Sequence, residues 1–409
     1  MRKLLVSAYA CEPFKGSEQA VGWNLVLQLA RNNHVTVITR ANNKDVIEPN
    51  IPHHLRANIK FLYHDAPSLF LKLKSKEKGV YFYYIIWQLF QIPLLKRLTK
   101  KYKFDYSLHL TFGSIWLPTF LPFFKPRFIW GPLGGGEGIP NSFISTLSLR
   151  GKLLQYFRNI LSFTIYVNPL LLYTLYRASI LLYRTENTKN ILPLYFQKKC
   201  KLLTDGAIEP EILSYKTINS TDTDVLELIT TSRLIHTKNI TTIIKAIALI
   251  PKELKIHLNI IGSGPEKEKL QKLIDKLNLT NRIQLVGRVS RNEILYFLSQ
   301  SDIYLFASLK EACNLSLLEA MAVGLPVICL NWSGMAISTD DRCAIRLPVT
   351  DPEQMPKDMA EAIIKLAKNP ELRKQMGENG RKRIQTVFNW EAKGKFMEEL
   401  FAELDNHEN

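Results

Sequence analysis

The chain opens with Lys3-Leu-Leu-Val-Ser-Ala-Tyr9, a short apolar run, and His34-Val-Thr-Val-Ile-Thr39 is a second run of the same character. Between the two lie Gly16 and the segment Glu18–Ala30, whose apolar residues recur at helical spacing. A buried strand, a glycine loop, a helix and a second buried strand are typical of a parallel sheet built from strand–helix–strand units. These residues therefore predict an α/β fold.

The same alternation extends along the rest of the chain. In the first half, further strands are expected at Ile59–Tyr63, Tyr106–His109, Arg127–Trp130 and Ile180–Arg184. After the polar stretch Asn219–Asp224, strands are expected at Leu226–Thr231, Ile256–Ile261, Ile283–Val286, Ile303–Phe306 and Val327–Leu330. Helices are expected between them at Ile240–Leu249, Glu266–Leu277, Arg291–Ser299 and Leu315–Ala322. This regularity predicts a second doubly wound domain with right-handed crossovers.

Length and composition agree with two domains and narrow the class of protein. A chain of 409 residues is too long for one ordinary core. The five cysteines are scattered and form no C-x-x-C pair, which indicates free thiols in a reducing compartment. Glu12 interrupts the first apolar run, so we expect a strand there and no signal peptide. The net charge of +17 suits nucleic acid, anionic lipid or phosphorylated small molecules, but no nucleic-acid-binding module is recognisable.

Two stretches of the first half depart from the alternation. Leu69–Lys103 carries aromatic residues between two lysine-rich flanks. It either meets a lipid interface with anionic headgroups or packs as an insertion on its own domain, and the sequence favours neither. Ile160–Tyr176 is apolar and uncharged, but it is short for a membrane span and Asn168-Pro169 interrupts it. We expect buried or interfacial helices there.

The most informative segment for chemistry is Glu311-Ala-Cys-Asn-Leu-Ser-Leu-Leu-Glu319-Ala-Met-Ala-Val-Gly-Leu-Pro-Val-Ile328. Glu311 follows a predicted strand, at the carboxyl edge where open α/β sheets bind ligands. Asn314 is expected to cap the next helix, whose first N–H groups, beginning at Leu315, can hold a phosphate. Glu319 lies just over one turn further along this helix. Two carboxylates are therefore expected beside a phosphate site, where they can accept hydrogen bonds from hydroxyl groups.

This segment resembles the E-x7-E motif of glycosyltransferase family 4, a family of retaining enzymes with the GT-B architecture. The resemblance covers nearly the whole chain and implies two Rossmann-like domains facing each other across a cleft. It implies an acceptor-side domain at 1–204, a donor-binding domain at 205–387 and a C-terminal helix, 388–409, that returns to the first domain. In the family the two glutamates hold the donor sugar and the ribose, roles that fall on Glu311 and Glu319. The family usually has glycine in place of Asn314, whose side chain could crowd the donor and alter the sugar preference.

Three further segments of the second half match the family. Ser232-Arg233-Leu-Ile-His-Thr-Lys238-Asn239 resembles an element whose arginine and lysine clasp the donor diphosphate. Fixed cations there stabilise the negative charge that develops on the leaving group, although Arg233 and Lys238 could instead be surface charges of a loop. Gly262 and Gly264 end a strand and would let the backbone approach a phosphate or base. Leu285-Val-Gly287-Arg288 resembles the segment along the nucleotide base.

In the first half, the loop around Gly16 matches the bacterial branch of the family that has G-S-E and G-W at this point. The resemblance implies that N–H groups at Gly16 face the donor phosphates. His109 aligns with a histidine that contacts the transferred sugar, although a lone histidine at a strand end is more often structural. A second glycine loop, Trp130–Glu137, is expected on the acceptor side or as a flexible turn; its proposed contacts are Gly135, Gly136 and Glu137.

The resemblance implies a nucleotide-sugar donor, retention of the anomeric configuration, and neutralisation of charge by Arg233 and Lys238 without a metal ion or other cofactor. Asp222-Thr-Asp224 spells a metal motif of another fold, but it lies in the predicted linker, where we interpret it as a polar connector. The acceptor is expected to be a glycan or lipid-linked glycan of surface polysaccharide or lipopolysaccharide assembly. The expected location is the cytoplasm, at the anionic inner face of the membrane. Two alternatives stay open: a nucleotide-sugar 2-epimerase and a catalytically inactive membrane scaffold.

Overall fold

The computed structural model describes residues 1–16, 18–71, 79–217 and 224–406. Parts of three stretches discussed above lie outside these ranges: Ser17 of the G-S-E pattern, Lys72, Lys74, Lys76 and Lys78 of the first lysine-rich flank, and Asp222 of the Asp-x-Asp pattern. The strands are β1 (Lys3–Ser7), β2 (His34–Thr39), β3 (Ile59–Tyr63), β4 (Tyr106–His109), β5 (Arg127–Leu133), β6 (Ala178–Tyr183), β7 (Cys200–Leu202), β8 (Leu226–Thr231), β9 (Ile256–Ile261), β10 (Ile283–Gly287), β11 (Ile303–Phe306), β12 (Val327–Leu330) and β13 (Ala344–Leu347).

The helices alternate with these strands. They are α1 (Glu18–Ala30), α2 (Lys44–Asn50), α3 (Ser68–Leu71), α4 (Val80–Lys101), α5 (Leu149–Phe163), α6 (Pro169–Arg177), α7 (Glu186–Asn190), α8 (Leu194–Gln197), α9 (Ile240–Leu249), α10 (Lys267–Lys276), α11 (Arg291–Ser299), α12 (Leu315–Val323), α13 (Ser333–Ser338), α14 (Met355–Ala367), α15 (Pro370–Val387) and α16 (Trp390–Asn406). The α/β class is thereby confirmed.

The chain forms two compact units. Unit 1 consists of Met1–Gly136, Ile160–Asp205 and Trp390–Asn409, and unit 2 consists of Glu137–Asn159 and Gly206–Asn389. The difference from the expected division is the segment 137–159, which the sequence placed in the first domain. It belongs to unit 2 because Ile139 and Phe143 join the core of that unit, and because the indole N–H of Trp332 donates to the carbonyl of Gly138 at 3.2 Å.

Unit 1 is built on a sheet of strand order β3-β2-β1-β4-β5-β6-β7, in which every neighbouring pair is parallel. After its first residue β1 is fully buried, as a central strand covered on both faces should be. The order reverses between β1 and β4, so the loops after these two strands diverge to opposite faces of the sheet.

Helix α4 shows how the aromatic stretch is used. Tyr83, Tyr84 and Trp87 are fully buried against unit 1, and the Trp87 indole donates to the carbonyl of His64 at 2.7 Å. Other aromatics of the helix, such as Phe82, stay exposed. For the described part of Leu69–Lys103, packing on its own domain therefore accounts for the central aromatic residues.

The apolar stretch Ile160–Tyr176 ends α5, passes through a 3-10 turn and enters α6. The Asn168 side chain caps α6 by accepting hydrogen bonds from the N–H groups of Leu170 and Leu171. Within residues 1–16, 18–71, 79–217 and 224–406, we find no helix with the length and apolarity needed to cross a membrane.

Helix α16 completes unit 1 at the far end of the sequence. Arg2 pairs with Glu398 at 3.0 Å and with Asp405 at 2.8 Å. The hydroxyl of Tyr106 also donates to Asp405, and the Phe401 ring lies against Tyr106 with 4.9 Å between the ring centroids. The last helix therefore covers the edge of the core formed by β1 and β4.

Unit 2 repeats the arrangement with strand order β10-β9-β8-β11-β12-β13, again with parallel neighbours. Its core is aliphatic: β8, β11 and β12 are buried along most of their length. The sequence analysis did not identify β13, a short strand whose two middle residues are only partly buried. The order reverses between β8 and β11, which sets the position of the site described next.

Candidate functional site

Two loops of unit 2 meet where the order of its sheet reverses. One follows β8, whose chain then winds outward to β9 and β10, and the other follows β11, whose chain winds the other way to β12 and β13. Since β8 and β11 are parallel neighbours, the two loops leave a crevice at their carboxyl ends. We call this crevice, between loops 232–239 and 307–314, the unit 2 switch point.

Lys238 and Glu311 form an ion pair across the unit 2 switch point, with Nζ of the lysine donating to Oε1 of the glutamate. Their side chains are only 16% and 12% exposed. Burial, and after it the positive charge of Arg233, lowers the pKa of Lys238 to about 8. The carboxylate of Glu311 beside it favours the charged form. Three residues predicted from two motifs are thus brought close enough to act on one another.

The Glu311 loop is held by residues that the sequence analysis missed. Ser308 donates its hydroxyl to the Glu311 carboxylate at 3.0 Å, while the hydroxyl of Ser333 and the N–H of Gly334 donate to the Glu311 main-chain carbonyl at 2.5 Å and 3.1 Å. A Cβ atom on Gly334 would lie 2.4 Å from the carbonyl oxygen of Ala312. A Ser-Gly pair after a strand is too common to indicate a site by itself.

The glycines after β9 support the Arg233 loop directly. A Cβ atom on Gly262 would lie 1.8 Å from the carbonyl oxygen of Ser232, and one on Gly264 would lie 2.3 Å from that of Leu234. Backbone hydrogen bonds connect the same two loops, from Ser232 to Ile261 at 3.0 Å and from Leu234 to Ser263 at 2.9 Å. Close packing between the two loops therefore already requires both glycines, whatever contact they make with a ligand.

Asn239, the last residue of the Arg233 loop, adopts a backbone conformation that glycine usually takes. Asn239 lies in the left-handed region, at φ 53° and ψ 38°, between the 3-10 turn His236–Lys238 and α9. Asparagine tolerates this conformation better than other residues with a Cβ atom, so it serves in place of the usual glycine. Its side-chain oxygen also accepts a hydrogen bond from Thr242 at 3.0 Å.

Asn314 precedes α12, but its side chain makes no capping hydrogen bond, contrary to expectation. Its φ of −116° is ordinary, so a tolerance for unusual backbone angles is not what the position needs. The side chain is 3% exposed, and within the described ranges neither of its polar atoms has a hydrogen-bond partner. An amide buried in this way costs free energy unless something binds it. Leu315, the first residue of the helix, is exposed.

Glu319 lies on α12 one turn beyond Leu315, with 14% of its side chain exposed. Burial raises its pKa, and the guanidinium of Arg291, at 3.2 Å, opposes this shift. Arg288 follows β10 and is exposed to solvent. Glu319 and Arg288 therefore lie on elements at the same edge of the unit 2 sheet. Glu319 is paired with Arg291 and not with Lys238.

In unit 1, His109 is enclosed. It is 1% exposed, and its Nε2 lies 3.0 Å from the hydroxyl of Tyr84. Because that hydroxyl donates to the carbonyl of Pro118 at 2.9 Å, we assign the proton between them to Nε2 of His109. Burial lowers the pKa of His109 to about 3. The ring is therefore neutral, and in this structure its hydrogen-bonded neighbour is a tyrosine of its own unit.

The Gly16 loop leads into a charged cluster of unit 1. A Cβ atom on Gly16 would meet no atom of the described residues within 4 Å, so packing against them does not explain this glycine. Glu18 accepts the N–H of Phe112 at 2.9 Å and pairs with Arg184 at 2.9 Å, and Arg184 also pairs with Asp205 at 2.8 Å. The glutamate of the G-S-E pattern therefore ties the loop after β4 to the end of β6.

The glycine loop after β5 is a packed turn. Gly135 has a positive φ of 123°, and a Cβ atom on Gly136 would lie 2.3 Å from the carbonyl oxygen of Asn187. The N–H of Gly136 donates to the Thr188 hydroxyl at 3.2 Å. Gly135 and Gly136 belong to unit 1, whereas the buried Glu137 belongs to unit 2. There burial lowers the pKa values of Arg158 and Lys310, and the charge of Glu137 opposes this shift.

Comparison with known proteins relates the sequence of unit 2 to a family of enzymes. Residues 214–383 match the family model described as glycosyl transferases group 1. This part of the chain is therefore similar to the group 1 glycosyl transferases. It contains the Lys238–Glu311 pair, Arg233 and Glu319. An uncharacterized glycosyltransferase of Methanocaldococcus jannaschii is 34% identical over 185 residues, which are 44% of this chain and 46% of that protein. The chain matches less than half the length of the first curated relatives.

Solved structures extend the likeness to both units. The lipopolysaccharide outer core galactosyltransferase WaaB has a TM-score of 0.63 at 13% identity, over 98% of this chain and 99% of that one. Anabaena HepE in complex with UDP has a TM-score of 0.58 at 14% identity, over 98% and 100%. The chain thus has the GT-B fold, and its match to the group 1 family model lies within unit 2. None of these matches supports the epimerase or the scaffold.

Among residues 1–16, 18–71, 79–217 and 224–406, no three histidine, cysteine, aspartate or glutamate side chains are grouped as ligands for a metal ion. Asp224, the described half of the Asp-x-Asp pattern, pairs with Lys255 at 3.3 Å, and its side chain is 89% exposed. This contact is what a polar connector at the surface makes.

Proposed function

We propose that this protein is a retaining glycosyltransferase of family 4 that moves a sugar from a nucleoside diphosphate sugar to an acceptor hydroxyl. One observation carries the proposal: the Lys238–Glu311 pair, with Arg233 beside it, lies at the switch point of a group 1 domain. Open α/β sheets bind nucleotides at this point, and a buried ammonium with a neighbouring guanidinium is suited to a diphosphate.

In this proposal the donor diphosphate lies against Arg233, Lys238 and the first turn of α12. The N–H groups of that turn and the helix dipole favour an anion, and the unpartnered amide of Asn314 gains a ligand. Glu311 accepts hydrogen bonds from hydroxyls of the sugar, and Glu319 accepts them from the ribose. On donor binding, Lys238 would exchange its contact with Glu311 for one with the diphosphate. Glu319 would likewise exchange Arg291 for the ribose.

The reaction transfers the sugar with retention. The bond between the anomeric carbon and the diphosphate oxygen breaks, the acceptor oxygen forms a new bond to the same face of that carbon, and the acceptor proton passes to a phosphate oxygen. Arg233 and Lys238 stabilise the charge that grows on the leaving diphosphate, which lowers the barrier more than it strengthens ground-state binding. No carboxylate nucleophile is needed, and the two cations take the place of a metal ion.

The nucleotide we propose is UDP, because a solved relative of the same fold holds UDP. The acceptor we propose is a glycan or lipid-linked glycan of cell-surface polysaccharide or lipopolysaccharide assembly, since WaaB, by its name, acts on a lipopolysaccharide. The net charge of +17 suits peripheral contact with the anionic inner face of the membrane, from the cytoplasm.

Thermal unfolding with UDP-, GDP-, ADP- and CDP-sugars tests the donor site. A ligand at a hundredfold over its dissociation constant adds about 2.7 kcal/mol of stability, so one nucleotide series, which we expect to be UDP, should raise Tm. The rise in Tm should be smaller in Glu319→Ala. It should persist in the control Glu361→Ala, which also removes one carboxylate, at an exposed position of α14. A full shift after treatment with EDTA supports binding without a metal ion. The absence of any shift with all four series contradicts the proposal.

A further inference from the structure

A second cavity adjoins the switch point within unit 2. Its volume is about 670 Å³, and it lies between α5 with its preceding turn and the loops after β8, β9 and β11. His236 and Thr237 line it and directly precede Lys238, and Lys310 lines it and directly precedes Glu311. The cavity therefore shares both loops with the proposed donor site, yet it uses side chains that the donor site leaves unused.

Cationic side chains dominate one wall of this cavity. Arg158, Lys269 and Lys310 line it, against one lining carboxylate, Glu266, which pairs with Lys269 at 3.2 Å. Arg158 and Lys310 are close enough that the guanidinium charge acts on the lysine. Desolvation lowers the pKa of each, and the buried carboxylate of Glu137 opposes this in both. Two cations sharing one carboxylate leave a net positive charge, which an anionic ligand would neutralise.

His236 also lines this cavity, and two contacts hold its ring in place. The hydroxyl of Thr146 donates to the carbonyl of Phe143 at 2.7 Å, so it must accept from Nε2 of His236, 3.0 Å away. Nδ1 of the ring faces the carboxylate of Glu266 at 3.8 Å. These bonds fix the imidazole between the turn before α5 and the Arg233 loop.

Part of the cavity lining is apolar and continues onto an exposed surface. Ile139, Leu147 and Leu154 line the cavity. Leu154 is 69% exposed, and it is followed on α5 by Phe157, which is 60% exposed. No residue of α5 is fully buried, and its sequence has basic residues but no acidic ones. A cavity with a cationic wall and an apolar exit suits a molecule with an anionic head and a hydrocarbon chain.

We infer that this cavity is an acceptor subsite that binds the phosphate of an amphiphilic acceptor through Arg158, Lys269 and Lys310, with its hydrocarbon chain along Leu147 and Leu154. The inference rests on the proposed function, which it deepens by giving the acceptor a phosphate group and a chain. The acceptor hydroxyl then enters the switch point beside Glu311, because Lys310 and Glu311 are consecutive residues.

Calorimetric titration of the full chain with decyl phosphate, kept below its micelle concentration, tests the subsite. We expect decyl phosphate to bind at least tenfold more tightly than inorganic phosphate or decanol, since each of these keeps only half of the recognised chemistry. Equal binding of inorganic phosphate would overturn the inference in favour of a free anion site. Equal binding of decanol would overturn it in favour of a purely apolar cavity.

Two variants locate the binding. Arg158→Gln and Lys269→Gln should each weaken decyl phosphate about tenfold, as expected for the loss of a charge-assisted hydrogen bond. Lys269 is 64% exposed, so its replacement leaves the fold intact even where that of Arg158 does not. Lys272→Gln, an equal loss of charge at an exposed position of the same helix, should change the affinity less than twofold. Unchanged binding in both cavity variants contradicts the assignment.

Thermal shifts with UDP on the same samples separate the two proposals. If UDP stabilises the wild-type chain while decyl phosphate fails to bind, the acceptor subsite is wrong and the donor site stands. If UDP has no effect while decyl phosphate binds at Arg158 and Lys269, the amphiphile site stands and the proposed function does not.

Discussion

The two units share a topology but differ at the point where their sheets reverse. In unit 1 two titratable side chains near this point are neutral or paired: His109, the last residue of β4, is neutral and bonded to Tyr84, and Glu18 is paired with Arg184. In unit 2 the corresponding loops hold an exposed Arg233, a desolvated Lys238 and a buried amide without a partner among the described residues.

This contrast shows that the strand order provides a crevice, whereas the side chains of the loops decide whether the crevice can bind a ligand. Charges that already neutralise one another, as in unit 1, stabilise a loop and leave little to offer an anion. An excess of like charges, together with unsatisfied donors, lowers the stability of the free protein. A ligand that neutralises these charges and accepts from these donors raises the stability again. Four substitutions test this difference between the units.

The largest effect is expected in the charged cluster of unit 1. Arg184→Met leaves the carboxylates of Glu18 and Asp205 without their shared cation, and breaking a buried pair costs about 3–5 kcal/mol. Arg184 is 12% exposed. Hydrogen exchange of the β4 and β6 amides should report this loss. Arg31→Met, which removes an exposed pair with Glu391 in the same unit, should cost less than about 1 kcal/mol. Equal costs would show that the cluster is not structural.

The next effect concerns the unit 2 switch point. Lys238→Met should lower the rate of sugar transfer about 10²–10³-fold, the usual loss when one group that stabilises transition-state charge is removed. Lys245→Met, on the exposed part of α9, serves as the control and should stay within twofold. Since the pKa of Lys238 is lowered to about 8, donor affinity should also fall as the pH rises through 8. A pH-independent affinity between 7 and 9 would contradict the role of this ammonium.

An intermediate effect comes from the neutral histidine of unit 1. The pKa of His109 is lowered to about 3 in the folded state, so below its unfolded value of about 6.5 the unfolded chain takes up a proton that the folded chain does not. Stability of unit 1 is therefore full above pH 6.5 and decreases as the pH falls, by about 2 kcal/mol between pH 7 and pH 5. Hydrogen exchange of the β1 and β4 amides should show this slope, and His109→Gln should lose it. An unchanged slope in the variant would assign it to other groups.

The smallest effect concerns Asn239, the residue in the left-handed conformation. Asn239→Ala should destabilise unit 2 by about 1 kcal/mol, since alanine tolerates that conformation poorly. Asn239→Gly should stay within about 0.5 kcal/mol, because the backbone freedom gained offsets the lost bond to Thr242. Urea unfolding followed by the Trp332 signal compares the two. If the alanine and glycine variants lose the same stability, the loss comes from the hydrogen bond between Asn239 and Thr242 and not from the backbone conformation.

The strands were the easiest part to predict from the sequence. Those of the unit 2 sheet from β8 to β12 lie within a residue of their expected bounds, because each is a buried apolar run flanked by turn residues. β7 and β13 were missed, being short strands at sheet edges with partly buried residues. Local patterns also could not show that the segment 137–159 joins unit 2, since its contacts with Trp332 and His236 span many residues of sequence.

The site was predictable only where a motif carries it. Lys238 and Glu311 were expected from separate motifs, and their meeting follows from the strand order. The supports of Glu311, Ser333 and Gly334, could not be expected, because they act through one hydroxyl and one backbone N–H across a loop. The enclosure of His109 by Tyr84 depends on how α4 packs, which the sequence left open.

Helix α16 has a consequence for the order in which the protein is made. Unit 1 is closed by a contact between Arg2 and Asp405, so its first strands are synthesised long before the helix that covers them. Unit 2 lies between them and can complete its core while the chain is still growing. During synthesis the edge of β1 and β4 that Phe401 will cover therefore remains exposed. A nascent chain in this state is a client for a chaperone, and truncation before Trp390 would keep it there.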